Sequence, residues 1–404
     1  MCVRMRALAI LCAILSISNA FGYDRELHSD INPQCLGCNS KNITFLYVRG
    51  IGENDTIHNI WDFTFGKPTI LFALTENNNT LNVTWNGHVP SSVQFADQPK
   101  YSFGVIIDKI WEFDDVNNTG VINPNNMTFT KSFDTKGMLW ERLDLVEEEG
   151  EVMVTVRSKS FSNGRHTKSG NITIKLDLYP YTSYAFELPH LIHSANSSLV
   201  DIILQNMTTS KEFNHSRFAL ELLFVSTEKK NGSIDVNIRK GLDDEHTPGI
   251  FEIMELSTPQ TVKNGDGGFI QFRPVSYTDP QRDVSTSTEV HLGVLSPGEI
   301  PINSTADLVY RNFNEDVILL KEKAFVCLGG KGDGYYGRSL YNIWSFTMGY
   351  GSPPLEGFSL FVILIISIGL GIPVFLMLLG GVYVCIKRRR KLDNEPEILI
   401  EDSH

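Results

Sequence analysis

The chain has 404 residues, a formal net charge of −12 and a composition that is 42% hydrophobic and 20% charged. An acidic surface repels phosphate backbones and anionic headgroups, so nucleic acid is excluded as a partner. Of the six cysteines, only Cys35, Cys38 and Cys327 lie between the two apolar ends of the chain, too few to staple a small scaffold, so a hydrophobic core must carry the fold.

At the N-terminus, Arg4 and Arg6 precede the apolar run Ala7 to Ile17 and the small residues Ser18-Asn19-Ala20. That order is the one of a secretory signal peptide, assigned to residues 1–22, and the apolar run is too short to cross a bilayer. Residues 23–357 are then expected to be lumenal. Asn-X-Ser/Thr acceptors occur there at Asn42, Asn54, Asn78, Asn82, Asn117, Asn126, Asn171, Asn196, Asn206, Asn214, Asn231 and Asn303, and none follows residue 357. Acceptors confined to one side of a membrane helix are expected of a chain that passes through the endoplasmic reticulum.

The lumenal part reads as strands. β-branched and aromatic runs recur at Ile43 to Val48, Thr69 to Leu74, Phe103 to Ile107, Val152 to Val156, Ile172 to Leu178 and Phe186 to Leu188. They continue at Val200 to Leu204, Phe218 to Val225, Ile234 to Ile238, Phe269 to Phe272 and Val317 to Leu320. Short runs between Asn, Gly, Asp and Pro clusters predict an all-β lumenal domain, antiparallel and sandwich-like, with no long helix outside the membrane. One internal echo stands out: Asn59-Ile-Trp61-Asp-Phe-Thr-Phe-Gly66 resembles Asn342-Ile-Trp344-Ser-Phe-Thr-Met-Gly349. A structural disulfide from Cys35 or Cys38 to Cys327 is expected, because no strand-then-helix pattern surrounds Cys35-Leu-Gly-Cys38 as a redox site would require. No spacing supplies a fourth ligand for zinc.

Catalytic signals are sparse. Gly332-Asp-Gly334-Tyr-Tyr-Gly337 matches a dinucleotide fingerprint in letters but sits in a Gly-rich lumenal loop. Asp243-Asp-Glu-His246 reads as a solvated acidic turn, since neighbours on an extended chain point to opposite faces. His190 and His193 follow or flank Pro189 and lack a glutamate partner. No nucleophile elbow and no His-Glu-X-X-His motif occurs. No catalytic residue, metal site or cofactor is therefore expected.

Residues 358–386 carry no charge and abut Lys387-Arg-Arg-Arg-Lys391. The stretch is long enough to span the hydrocarbon core, and the basic cluster holds its C-terminal end in the cytoplasm, which defines a single-pass type I topology. The tail, residues 387–404, contains Glu395-Pro-Glu-Ile-Leu399-Ile400, an acidic residue four positions before a Leu-Ile pair. Two aliphatic side chains in a charged tail match the form of an acidic dileucine signal, read by a clathrin adaptor through an apolar slot and a basic patch.

Taken together, the chain resembles the glycosylated lysosomal membrane protein family. The resemblance is carried by Ile57-His-Asn-Ile-Trp61, Trp111-Glu-Phe-Asp-Asp115, Asp243-Asp-Glu-His-Thr-Pro248-Gly-Ile-Phe251 and, most specifically, Gly268-Phe-Ile-Gln-Phe-Arg-Pro274-Val-Ser-Tyr277. Pro353-Pro-Leu-Glu-Gly357 and the helix residues Pro373 and Leu376-Met-Leu-Leu-Gly-Gly381 extend it. Many members look tyrosine-based in the tail where this chain has the dileucine form. The resemblance implies residence in the lysosomal membrane and an accessory role toward a lysosomal major-facilitator transporter of dipeptides, shielding it from lumenal proteases. The competing readings are a membrane-anchored lumenal hydrolase and a pH-dependent cargo receptor using His190 and His193.

Replacing Leu399 and Ile400 together by alanine is expected to raise surface staining of the protein several-fold at the expense of lysosomal staining. An unchanged surface pool would remove the dileucine assignment.

Overall fold

A strand with one face in the core alternates apolar and polar residues, whereas one covered on both faces becomes continuously apolar. Both patterns occur in the computed structural model of the chain, which describes residues 24–38, 45–65, 67–77, 79–141, 143–162, 167–241, 252–314, 316–357 and 360–392. One sheet runs, strand by neighbouring strand, Glu26–Ile31, Phe45–Ile51, Asp55–Asp62, Thr69–Glu76, Tyr101–Asp114, Ser216–Glu228 and Ile318–Leu328, every pair antiparallel. The other runs Asp144–Glu148, Glu151–Ser162, Thr167–Leu178, Ser197–Gln205, Tyr341–Tyr350, Gly268–Phe272, Glu252–Ser257 and Asp235–Lys240, also antiparallel throughout. Ser287–Leu292 joins them, pairing with Val275–Tyr277 on one side and with Ile318–Leu328 on the other.

The two sheets share one core. Trp61, Phe72, Phe103, Leu220 and Phe224 enter it from the first sheet, and Val154, Ile174, Ile202, Trp344 and Phe346 from the second. Each large apolar side chain buried there contributes about 1.5–3 kcal/mol. The expected antiparallel sandwich is therefore what the chain forms. The outer face of the first sheet is covered as well: Phe45, Ile60, Leu71, Ile106 and Leu223 pack under the hairpin of Leu81–Asn86 with Val89–Phe95 and under the short helix Thr305–Tyr310. This second cover explains why Ile70-Leu71-Phe72-Ala73-Leu74 shows no alternation. The echo strands Asp55–Asp62 and Tyr341–Tyr350 lie in opposite sheets, and their tryptophans Trp61 and Trp344 both face the shared core.

Two expectations are corrected. Phe186 to Leu188 is no strand: it forms the tip between Ser183–Tyr184 and Ile192–His193, with Phe186 96% exposed and Pro189 unable to donate to a ladder. The disulfide joins Cys35 to Cys38, whose Cα atoms stand 5.4 Å apart in the turn after the first strand, and leaves Cys327 free. Cys327 is 1% exposed and packs against Phe113, Ile122 and Ala219, so its thiol is enclosed by apolar neighbours, and burial pushes its pKa up to about 11. A side chain so committed has no path to a partner in a surface turn.

From Leu355 onward the chain forms a second unit. Its helix Leu360–Leu392 is about 50 Å long at 1.5 Å per residue, and the part from Ile363 to Arg390 is long and apolar enough to cross a membrane. Leu370, Phe375, Met377 and Tyr383 are exposed on it, the all-round apolar surface that lipid accepts and water does not.

Peptide mapping without reductant is expected to recover Cys35 and Cys38 in one cross-linked fragment, with Cys327 alkylated only after denaturation. A fragment linking Cys327 to either would overturn the assignment.

Candidate functional site

Trp111 to Asp115 ends the longest strand of the first sheet, and its polar side chains are met from elsewhere in the chain. The Trp111 indole N–H donates to Glu221 at 2.7 Å. Glu112, fully buried, accepts from the Ser210 N–H at 2.6 Å, the Ser210 hydroxyl at 2.7 Å and the Ser216 hydroxyl at 2.9 Å. Asp114 accepts from the His215 N–H at 2.8 Å. Asp115 accepts from the N–H groups of Thr119 at 2.9 Å and Gly120 at 2.8 Å, which folds the Asn-rich turn that follows.

Arg217 is the centre of this cluster and is only 2% exposed. Its Nε donates to Asp115 at 2.9 Å and its Nη1 to Asp333 at 3.0 Å. Its Nη2 donates to the Asn118 side-chain oxygen at 2.8 Å and to the Gly330 carbonyl at 2.6 Å. The guanidinium lies over the Tyr335 ring, 4.9 Å from its centroid. Burial acts to raise the Asp115 carboxyl, but the N–H groups of Thr119 and Gly120 together with Arg217 outweigh it and hold the carboxyl below its ordinary range. Two glycines make room. At Gly329, with φ +106°, a Cβ would lie 2.2 Å from Arg217 Nη1, and at Gly120, with φ +74°, a Cβ would lie 2.4 Å from the Gly329 carbonyl oxygen.

The Gly332 to Gly337 run therefore belongs to a structural loop. Asp333 is held by Arg217, by the Gly330 N–H at 2.6 Å and by the Thr288 hydroxyl, and the helix that follows, Tyr336–Ser339, has four residues. A polar cleft of about 300 Å³ opens beside it, bordered by Arg217, Thr286, Thr288, Asp333, Tyr335 and Arg338.

The histidines singled out above are engaged locally. His193 is 2% exposed, stacks on Tyr179 at 3.6 Å between ring centroids, and is pushed down by burial to a pKa of about 4. A group with that pKa stays neutral in a mildly acidic lumen. His190 Nδ1 lies 2.8 Å from the Ala185 carbonyl. His58, from the Ile57 to Trp61 motif, is buried between the Tyr47 hydroxyl at 2.6 Å and the Thr75 hydroxyl at 2.8 Å, and burial pushes it to about 4 as well.

The structure exposes Asn54, Asn82, Asn117, Asn126, Asn206, Asn214, Asn231 and Asn303, and half-buries Asn171 and Asn196. The Asn196 side-chain oxygen accepts from Arg25 Nε at 2.7 Å, which leaves its nitrogen for a sugar. Asn42, Asn78, the Asp243 to Phe251 motif and the tail residues Glu395, Leu399 and Ile400 lie outside the described residues. Arg217 itself escaped the sequence reading. The signal available was a charged residue at the head of the apolar run Phe218 to Val225, which reads equally well as a solvated strand end.

A family model described as glycosylated lysosomal membrane protein matches residues 44–391. The chain belongs to the glycosylated lysosomal membrane protein family. Among its relatives, glycosylated lysosomal membrane protein B of Xenopus laevis is 26% identical over 402 residues, covering 97% of each chain. The Danio rerio member is 29% identical over 366 residues, 86% of this chain and 85% of that one, and the Homo sapiens member is 24% identical over 399 residues, 95% and 93%. With the C-terminal apolar helix, family membership makes this a lysosomal membrane protein, in an arrangement consistent with type I topology.

Arg217→Ala is expected to cost about 3–5 kcal/mol in denaturant unfolding, because it leaves two enclosed carboxylates without their cation. Arg217→Lys should recover little of it, since one ammonium cannot reach acceptors spread around a planar fork. A loss below about 1 kcal/mol for the alanine variant would overturn the hub role.

Proposed function

We propose that this member of the glycosylated lysosomal membrane protein family is a non-enzymatic accessory subunit, which stabilises a lysosomal major-facilitator transporter of dipeptides and shields it from lumenal proteolysis. The observation that carries the reading is a continuous antiparallel sandwich, one of whose sheets is covered on both faces, with acceptor asparagines for glycans on its surface. Such a domain offers a protease few unfolded segments, because cleavage needs a locally opened backbone. The polar side chains clustered around Arg217 are spent on one another, and that fits a fold-holding role better than a reactive one. The helix offers a second contact surface: Ser367 and Gly371 stand four apart, and a Cβ added at Gly371 would meet open space, so a neighbouring helix could approach closely.

Deleting the protein is expected to lower the steady-state abundance of its transporter several-fold without lowering its transcript, and lysosomal protease inhibitors should restore much of the loss. Unchanged transporter levels, together with no multi-pass protein co-purifying with the tagged chain, would overturn the proposal.

A further inference from the structure

A groove of about 370 Å³ crosses the outer face of the second sheet. The antiparallel registers place Val146, Met153, Asp177 and Leu199 in one row across four strands, so a single carboxylate stands in an apolar row. The next row holds Thr155, Lys175, Asp201 and Ser345. Asp201 is already matched: the Arg282 guanidinium and the Ser345 hydroxyl both donate to it, and Arg282 also meets Glu187 at 2.9 Å. Asp177, by contrast, has no hydrogen bond or ion pair among the described residues, although much of it is withdrawn from water. At the rim, Phe186 is 96% exposed on the tip of the hairpin that walls the groove.

We propose that this groove docks a segment of a partner protein that presents a lysine or arginine side chain next to apolar residues. The cation would meet Asp177, its aliphatic stem would lie along Met153 and Leu199, and the neighbouring apolar residue would cover Phe186. The charge balance favours a cation: the carboxylates of Asp144, Asp177, Glu187 and Asp201 line the groove against two bases, Lys175 and Arg282, and Arg282 is consumed by Asp201 and Glu187. The volume suits one or two side chains and excludes a folded domain. The inference goes beyond the accessory reading, since the groove's chemistry belongs to this chain whichever membrane protein accompanies it.

The groove is also proton-linked. Burial and then the Asp201 carboxylate raise the Asp177 pKa to about 7; Glu151 and Glu187 add to the rise and Lys175 opposes it. Asp144 and Tyr179 also border the groove, and Tyr179 stacks on His193, which burial keeps neutral. A cation binds the ionised carboxylate, so protons compete with it and affinity falls as pH falls through 7.

The test uses the full chain in detergent micelles and anisotropy of a fluorescein-labelled peptide, Gly-Leu-Lys-Leu-Gly, beside its counterpart with Gln for Lys. The lysine peptide is expected to bind about tenfold more weakly at about pH 5 than at about pH 7.5, and the glutamine peptide to bind weakly at both. Asp177→Asn should give the lysine peptide the affinity and flat pH profile of the glutamine peptide. Phe186→Ala should weaken the lysine peptide and leave its pH profile in place; being fully exposed, this side chain carries the test even if the Asp177→Asn variant proves unfolded by its melting curve. Equal binding of the two peptides, no binding up to about 1 mM, or equally potent competition by n-butylamine, which would indicate a site for free amines, would each overturn the proposal. Loss of the transporter in a deletion leaves all these outcomes unaffected, so the two proposals can fail separately.

Discussion

Everything in the lumenal domain is arranged around a strand that has no face to water. Ser216–Glu228 is buried at every position, paired with Tyr101–Asp114 on one side and Ile318–Leu328 on the other. Its alternate side chains Phe218, Leu220, Leu222 and Phe224 enter the shared core, while Leu223 and Val225 enter the outer cluster. Polar residues on such a strand must bring their own partners, because an unpaired buried charge costs several kcal/mol. Arg217, Glu221 and Glu228 are those residues. Arg217 gathers Asp115 and Asp333, Glu221 takes Trp111 and Lys323, and Glu228 takes Ser226 and the Gln260 N–H. Loops far apart in sequence are thereby fixed to one strand.

That constraint also explains what the sequence discloses and what it hides. Runs such as Ile172 to Leu178 and Val200 to Leu204 are legible because period and composition agree with a sheet whose inner face is buried. Phe186 to Leu188 has the composition of a strand and not the context: Pro189 removes a donor, and the chain must reverse there to pair Ile192 with Tyr184. Long-range pairing is hidden by construction. Nothing local in Arg217 announces that its acceptors lie about a hundred residues away on either side, and nothing in Asp177 announces that Met153 and Leu199 will stand beside it. The cysteines show the same limit, for nothing local in Cys327 announces that it will be enclosed in an apolar cluster, out of reach of Cys35 and Cys38.

The electrostatics suit an acidic compartment in a divided way. His58 and His193, pushed to about 4, bind fewer protons folded than unfolded, so each contributes stability above about pH 6.5 that is lost as pH falls through 4. Asp177, raised to about 7, does the reverse: its contribution is present at low pH and is lost as pH rises through 7. Asp62 and Glu228, raised by burial against the hydrogen bonds that favour their ionised forms, fall on the same side as Asp177. Opposed terms of this kind flatten the dependence of stability on pH, which a protein needs when it is folded near neutrality and works in acid.

The surface completes the argument. With one sheet covered on both sides and the carboxylates of the interior matched, the face of the second sheet is where apolar area and an unmatched charge coincide, at Asp177 and Phe186. A glycan close to that groove would obstruct a partner, yet Asn196, three positions before Leu199, turns its side chain to Arg25, and Asn171 lies at the far end of Thr167–Leu178, six positions from Asp177. At about 3.3 Å per residue that separation is about 20 Å along the strand, which sets the Asn171 acceptor well away from the Asp177 carboxylate. The same spacing that puts the Asn171 acceptor at the strand's far end leaves the Asp177 carboxylate and the exposed Phe186 ring clear of it.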